Sequence, residues 1–242
     1  MALKEIKFKN EPLSLSYEIL NLQHSKTILF LHGWGSNKEI MKMAFGSYLK
    51  DYRHLYLDLP GFGASKNEKL VLTTKDYKEI VELFLKRLGI RVDMVVGHSF
   101  GGKVATLLEP PCLILLSSAG IVLPKPFKVR LKIALFKLLK PFGGGKIRKF
   151  FVSQDAKDIS LNMYETFKNV VDEDFRDKFA SFKNRALIFW GKDDKATPLI
   201  AGKEINSLIK NSKFYLFDGD HYFFLDNKDK IAQIIEKECG RS

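Results

Sequence analysis

Three segments of the chain contain residue types that together could cleave an ester through a serine nucleophile. Ser99 lies between Gly97 and Gly101, His221 lies near the end of the chain, and an adjacent pair of aspartates lies between them in sequence. A serine attacks a carbonyl when a histidine takes its proton and a carboxylate orients that histidine. Because Gly97-His-Ser-Phe-Gly101 follows the apolar run Met94-Val-Val96 and precedes a helix-like stretch, we predict a sharp strand-to-helix turn that exposes the Ser99 hydroxyl.

The five histidines of the chain differ in their suitability as the base. His24 precedes the first central strand, His54 begins a strand, and the turn directs the side chain of His98 away from the serine. His32 lies in a glycine-rich turn, where we predict a buried histidine with a structural hydrogen bond. Only His221 follows the last predicted strand, so we assign His221 as the general base.

The orienting carboxylate is predicted in Trp190-Gly-Lys-Asp-Asp-Lys-Ala-Thr-Pro198, the loop that leaves the penultimate strand. At least one of Asp193 and Asp194 must point inward, and the residue types alone leave the choice open. Asp58, in Asp58-Leu-Pro-Gly-Phe-Gly63, is interpreted as a residue that organises its loop.

A second glycine-rich turn, Leu31-His-Gly-Trp-Gly35, follows an earlier strand and could stabilise negative charge. The backbone N–H groups of Trp34 and Phe100 together would form an oxyanion hole, which binds the charge that develops only in the transition state. The tryptophan ring would also form a wall of the substrate pocket.

Short apolar runs separated by helix-like stretches predict an α/β fold with a mostly parallel, two-sided sheet. Residues 4–9 and 14–20 around Asn10–Leu13 predict an opening antiparallel hairpin, and an apolar stripe over 74–88 and another over 227–238 predict helices. The later strands are predicted at 27–31, 54–57, 94–96, 113–116, 186–190 and 214–217. In such a sheet, ligands bind beyond the carboxyl ends of the strands, where the motifs fall.

A long insertion interrupts this alternation and predicts an inserted helical lid over residues 121–183, with 1–120 and 184–242 forming the hydrolytic core of one domain. An apolar stripe over 131–138 predicts a helix, Pro141–Gly145 breaks it, and two or three helical pieces fit in 154–182. Nine phenylalanines in the insertion could line an acyl pocket, although packing in the interior is the preferred interpretation.

Charge is distributed unevenly over the 242 residues, whose net charge is +12. Residues 121–150 hold nine lysines and arginines and no acid, which leaves +3 for the other residues. Such a basic face would attract an acidic partner, so we expect an acyl-carrier protein or an anionic membrane surface to meet the lid. A nucleic-acid partner is not expected, because no nucleic-acid-binding motif is present.

The compartment is predicted from the two cysteines and from the N-terminal segment. Cys112 and Cys239 lie far apart in apolar or helical contexts, and the first residues alternate in charge without an apolar signal core. We therefore expect a reduced, cytoplasmic protein without a transmembrane helix. No cofactor and no metal is expected.

These motifs together resemble those of the α/β-hydrolase superfamily, and they occur along the chain in the same order as in that superfamily. They are His-Gly-Trp-Gly, Asp-x-x-Gly-x-Gly, Gly-x-Ser-x-Gly-Gly, Gly-x-x-Asp-x-x-x-Pro and a late histidine. The resemblance covers nearly the whole chain and implies the α/β-hydrolase fold. It assigns the catalytic residues to Ser99, Asp194 and His221, because Asp194 lies four residues before Pro198. It also implies oxyanion amides at Trp34 and Phe100, and substrate contacts from Trp34, Phe100 and Tyr222.

Within the superfamily the chain resembles small bacterial short-chain carboxylesterases, which implies hydrolysis of short-to-medium acyl esters through an acyl-enzyme. Two other groups are similar in pattern: pimelyl-carrier methyl ester esterases, which use a basic lid, and meta-cleavage-product C–C hydrolases, which act on 2-hydroxy-6-oxo-dienoates. The C–C hydrolases usually have Trp where this chain has Tyr222, and often Asn where it has His98. A non-catalytic ligand-binding or scaffold protein with this fold is the alternative from a different class.

Overall fold

An eight-stranded sheet forms the centre of the structure, a computed structural model that describes residues 1–124 and 160–240. The strands are β1 (Ala2–Phe8), β2 (Glu11–Leu20), β3 (Thr27–Leu31), β4 (Arg53–Leu57), β5 (Met94–His98), β6 (Cys112–Leu116), β7 (Arg185–Gly191) and β8 (Ser212–Phe217). Their order is β1-β2-β4-β3-β5-β6-β7-β8. β2 is antiparallel to both of its neighbours, and the remaining pairs are parallel. The predicted α/β-hydrolase fold with its opening hairpin is confirmed.

The opening hairpin turns earlier than the sequence suggests. Phe8 pairs with Glu11, so the loop consists of Lys9 and Asn10 alone rather than Asn10–Leu13. Both residues have positive φ, 47° and 66°, as a two-residue type I′ turn requires. The second strand therefore includes Pro12, which lies opposite Lys7 near the end of the hairpin.

Helices cover both faces of the sheet. They are α1 (Lys38–Phe45), α2 (Thr74–Leu88), α3 (Phe100–Leu107), α4 (Leu161–Val171), α5 (Arg176–Ser181), α6 (Leu199–Leu208) and α7 (Lys228–Cys239), with a 3-10 turn at Phe223–Leu225. α2 has the bounds predicted from its stripe, because Thr73 and Asp76 form a capping box at its start and Gly89, with φ 66°, ends it. Buried residues of α2 to α6 pack on one face of the sheet, and those of α1 and α7 on the other.

The second half of the insertion is joined to the core by polar side chains. In α4, Asn162 donates to the carbonyls of Asn67 and Leu70, and the Thr166 hydroxyl accepts from the amide of Leu72. Lys103 of α3, only 1% exposed, donates to the carbonyl of Val170 at 2.7 Å and pairs with Glu173. Several predicted features of the insertion lie outside the described residues: the helix at 131–138, its break at 141–145, the basic face and the first helical pieces of 154–182. The boundaries of the lid stay a prediction.

Cys112 and Cys239 form a disulfide, so the expectation of reduced thiols is wrong. The two residues are 127 positions apart, but the amino end of β6 and the last turn of α7 bring their Cα atoms to 6.5 Å. The prediction of a cytoplasmic protein rested partly on reduced thiols and loses that part of its support, because disulfides are rare in cytoplasmic proteins. Among the helices of the described ranges, none is both long and apolar enough to cross a membrane.

Reduction of this disulfide is expected to lower the thermal stability. A cross-link that closes a loop of this length stabilises by about 5 kcal/mol in the chain-entropy account, and each kcal/mol shifts Tm by about 2 to 4 °C in a protein of this size. We expect Tm to fall by about 10 to 20 °C in excess dithiothreitol, measured by circular dichroism. The Cys112→Ser/Cys239→Ser protein is the control, since its Tm should not respond to the reductant; an unchanged Tm of the parent in dithiothreitol would contradict the prediction.

Candidate active site

Ser99 lies on a strained turn between β5 and α3. Its backbone has φ 50° and ψ −115°, a conformation that a residue with a side chain rarely adopts. The turn is tight enough that a Cβ on Gly97 would lie 2.5 Å from the carbonyl oxygen of Gly101. The Ser99 amide donates to the carbonyl of Leu116 on β6, which fixes the turn at the carboxyl edge of the sheet.

The turn that follows β3 lies directly against this serine turn. A Cβ on Gly101 would lie 2.5 Å from the carbonyl oxygen of Leu31, and a Cβ on Gly33 would lie 3.1 Å from the Cβ of Ser99. The amides of Trp34 and Phe100 have no hydrogen-bond acceptor within the described part of the chain. Phe100 is the first residue of α3, where an amide has no intrahelical partner.

His32 has the structural role predicted for it. Its Nδ1–H donates to the carbonyl of Gly33 at 2.8 Å, and its Nε2 accepts from the amide of Leu59 at 3.0 Å. Complete burial lowers the pKa of His32 to about 4, so the ring stays neutral at pH 7. The histidine thereby ties the Trp34 turn to the loop that follows β4.

Asp58 organises that loop, as predicted, through a buried ion pair that the sequence did not reveal. Its carboxylate accepts from the backbone amide of Lys38 at 2.7 Å, from the Lys38 ammonium at 2.8 Å and from the amide of Ala64 at 3.0 Å. Both charged side chains are almost fully buried. Burial opposes the charge on Asp58, but the bonds from Lys38 and Ala64 lower its pKa below the usual range.

Asp194, and not Asp193, contacts His221. Asp194 Oδ2 accepts from His221 Nδ1 at 2.8 Å, while Asp193 is exposed. The same carboxylate accepts from the amides of Ala196 and Thr197, at 2.8 and 2.9 Å, and from the Thr197 hydroxyl at 2.8 Å. Burial disfavours its charge, yet the hydrogen bonds from His221 and Thr197 lower the pKa of Asp194 to about 2. The ionised carboxylate holds the proton on Nδ1, which leaves Nε2 of His221 free to accept one.

The Asp194–His221 pair and Ser99 lie at the same edge of the sheet, beyond the carboxyl ends of β7, β8 and β5. The ring of His98, next to Ser99 in the chain, lies 4.6 Å from the ring of His221. The Ser99 hydroxyl makes no hydrogen bond within the described residues. In ligand-free enzymes the hydrogen bond between a nucleophile and its base is often long, and it shortens when the substrate binds.

The predicted substrate-contacting side chains differ in their surroundings. Trp34 packs edge-on against Phe62 and Phe100, with ring centroids at 4.8 and 5.6 Å, and lies 5.3 Å from Phe167 of α4. Phe100 is buried, whereas Tyr222 is 39% exposed beside His221. Among the described phenylalanines of the insertion, Phe167 is the one whose ring packs against Trp34. The other three are buried in the interior, which is the preferred interpretation: Phe175, Phe179 and Phe182.

A cavity of about 340 Å³ opens beside Trp34. Phe62 and Met163 also line it, and Lys66 and Glu68 lie at its side. Met163 belongs to α4, so the insertion contributes to the lining of this cavity.

The sequence patterns did not single out Phe62, Met163 or Thr197, because the roles of these residues depend on segments that meet only in the folded protein. Within residues 1–124 and 160–240, no group of three or more histidines, cysteines and acids is placed to bind a metal.

Buried histidines at this site predict a loss of stability in mild acid. The pKa values of His32 and His98 fall from 6.5 to about 4 and about 3, chiefly through burial. Below pH 6.5 the unfolded chain therefore binds protons that the folded chain does not, and stability falls by up to roughly 1.4 kcal/mol per pH unit for each histidine. Urea unfolding should show a lower free energy of unfolding at pH 5 than at pH 7. Equal free energies at the two pH values would contradict the prediction. His24→Gln, a change at a partly exposed histidine in the loop before β3, is the control and should retain the full dependence.

Comparisons with known proteins show the family and the fold of the chain. The sequence model of the alpha/beta hydrolase family matches residues 28–234. The chain is 27% identical to the AB hydrolase superfamily protein YisY of Bacillus subtilis, over 89% of this chain and 92% of that protein. It is 22% identical to a pimeloyl-[acyl-carrier protein] methyl ester esterase of Vibrio campbellii, over 86% and 93% of the two chains. An esterase structure from Exiguobacterium antarcticum has the same fold, with a TM-score of 0.73 at 21% identity over 94% of this chain and 96% of that one.

Proposed function

The chain belongs to the alpha/beta hydrolase family, and we propose that it is a serine esterase acting through an acyl-enzyme on Ser99. The observation that carries the proposal is the 2.8 Å bond between Asp194 and His221, at the same sheet edge as a serine on a strained turn. An ionised carboxylate bonded to Nδ1 of a histidine is the arrangement that general-base activation of a serine needs.

In the proposed reaction, Ser99 Oγ attacks the ester carbonyl while Nε2 of His221 takes the hydroxyl proton. Asp194 stabilises the imidazolium, which then gives the proton to the leaving alcohol. Water, deprotonated by the same nitrogen, then attacks the acyl-enzyme. The bond to Ser99 Oγ breaks, His221 returns the proton to this oxygen, and the acid is released. The two unpartnered amides, of Trp34 and Phe100, would donate to the oxyanion in both steps, and each such donor typically contributes a few kcal/mol to lowering the barrier.

The proposed substrate is a carboxylic ester with a short-to-medium acyl chain. The aromatic wall of Trp34, Phe62 and Phe167 suits an apolar acyl or alcohol group, and the cavity beside it has room for a small one. Residues 121–183 would act as the lid over this site.

A carrier-linked methyl ester is the second candidate substrate. The similarity to proteins named pimeloyl-[acyl-carrier protein] methyl ester esterase favours it. The nine basic residues between 121 and 150 would offer an acidic carrier protein a complementary charge.

A fluorophosphonate probe tests whether the serine is activated. We expect stoichiometric labelling of the parent protein, with the adduct located by mass spectrometry on the peptide that contains Ser99. Protein that is folded but unlabelled would overturn the proposal and favour a non-catalytic binding protein. Rates on p-nitrophenyl butyrate, an acyl-carrier methyl ester and a 2-hydroxy-6-oxo-dienoate then separate the candidate substrates.

A further inference from the structure

His98, which precedes Ser99, reaches under the loop that carries His221. Its side chain is 1% exposed, and its Nε2 lies 3.0 Å from the carbonyl oxygen of His221. A ring nitrogen can bond a carbonyl only as a donor, so this contact fixes the Nε2–H tautomer. Burial, together with the nearby His221, lowers the pKa of His98 to about 3, and the ring is neutral at pH 7.

The ring of His98 also packs against the rest of this loop. Its centroid lies 4.6 Å from that of His221, 5.2 Å from that of Tyr222 and 4.8 Å from that of Phe224. On its other side, Nδ1 lies 3.0 Å from the position that a Cβ on Gly33 would take. One side chain of the serine turn therefore contacts both the His221 loop and the turn that carries Trp34.

The two ring nitrogens of His98 differ in their hydrogen bonding: Nε2 has a partner and Nδ1 has none among the described residues. Packing alone does not explain why a histidine occupies this position. Nδ1 is buried without a partner among the described residues, which costs free energy that an apolar side chain would not incur. Leucine could fill much of the same space. What the imidazole adds is the Nε2–H donor to the carbonyl of His221.

A neutral ring also suits the chemistry proposed for its neighbour. His221 becomes an imidazolium during turnover, and a positive charge at position 98 would oppose that step. Three ionisable groups interact with His98 electrostatically: His221, Asp194 and His32. Of these, Asp194 carries a negative charge that favours the imidazolium of His221.

We propose that His98 is a positioning residue for the esterase reaction. Its Nε2–H bond to the backbone carbonyl of His221 fixes the position of this base relative to Ser99 and to the Trp34 turn. The inference rests on the proposed function. His98 acts through His221 and takes no part in the bond-making or proton-transfer steps.

The test compares three substitutions, assayed on p-nitrophenyl butyrate. His98→Leu fills the space without a donor, His98→Gln places an amide N–H near the position of Nε2, and His98→Asn reaches only the position of Nδ1. We expect kcat to fall roughly 10- to 100-fold in His98→Leu, the size of effect seen when a partner that orients a metal-bound histidine is removed, with KM changed less than about twofold. His98→Gln should recover kcat to within about fivefold of the parent, and His98→Asn should stay at least fivefold below His98→Gln.

His54→Leu is the matched control. His54 is also fully buried and bonds a carbonyl through Nε2, that of Leu49 at 2.9 Å, but it lies on β4 away from the site. We expect this variant to lose stability and keep kcat. The inference is overturned if folded His98→Leu keeps kcat within twofold of the parent, or if His98→Gln and His98→Asn have equal kcat. The latter comparison holds even if His98→Leu does not fold. A parent protein that neither hydrolyses the ester nor reacts with the fluorophosphonate would instead refute the proposed function.

Discussion

Ser99→Ala is expected to abolish ester hydrolysis while leaving the fold intact. The substitution removes the proposed nucleophile, and removal of the serine from a Ser-His-Asp arrangement reduces kcat by roughly 10⁶-fold in a serine protease. We expect a reduction of at least about 10⁴-fold in kcat on p-nitrophenyl butyrate and no labelling by the fluorophosphonate. Because the Ser99 hydroxyl makes no hydrogen bond within the described residues, Tm should change by no more than a few degrees.

Ser118→Ala is the matched control for this substitution. Ser118 is a buried serine near α3 whose hydroxyl donates to the carbonyl of Ala119. Its loss removes one hydroxyl from the same region but leaves the proposed chemistry untouched, so kcat should stay within about threefold of the parent. Full activity in Ser99→Ala would mean that another group is the nucleophile.

Asp194→Asn is expected to reduce kcat by about 10⁴-fold with little change in KM. The asparagine amide can donate to Nδ1 of His221, which would place the ring proton on Nε2 and prevent that nitrogen from accepting the serine proton; the equivalent change in a serine protease has an effect of this size. The bonds that Asp194 accepts from Ala196 and Thr197 mean that stability should also fall. Steady-state kinetics and thermal unfolding, measured on the same preparation, separate the two effects.

Asp193→Asn provides the control, since it makes the same change of charge one residue away on an exposed side chain. Its kcat should equal that of the parent. Loss of turnover in Asp193→Asn combined with retained turnover in Asp194→Asn would exclude Asp194 as the residue that orients the base.

The sequence predicts the elements of this site well because each motif is local. Ser99 follows an apolar run and stands between glycines, and the position of Asp194 before Pro198 distinguishes it from Asp193. The buried strands of a parallel sheet are also short, continuous apolar runs, so their positions could be predicted to within about two residues. The prediction of the hairpin turn failed because the positive φ of Lys9 and Asn10 is not marked by glycine.

Features that depend on contacts between distant segments could not be predicted. The disulfide joins β6 to the last turn of α7, and the Lys38–Asp58 pair is buried although both side chains are of types that are usually exposed. The same holds for Lys103, which reaches a helix about seventy residues later in the chain. His98 could be excluded as the base from sequence, but its bond to the carbonyl of His221 appears only when the two loops are placed together.

The disulfide has a topological consequence for a chain cut by a protease. Any single cut between Cys112 and Cys239 divides the protein into two polypeptides that remain covalently joined. If that cut falls within residues 125–159, Ser99 lies on one fragment and both Asp194 and His221 lie on the other. Such a nicked protein would migrate as one band in non-reducing electrophoresis and as two after reduction, and it would show whether the two halves of the site can function as a complex of fragments.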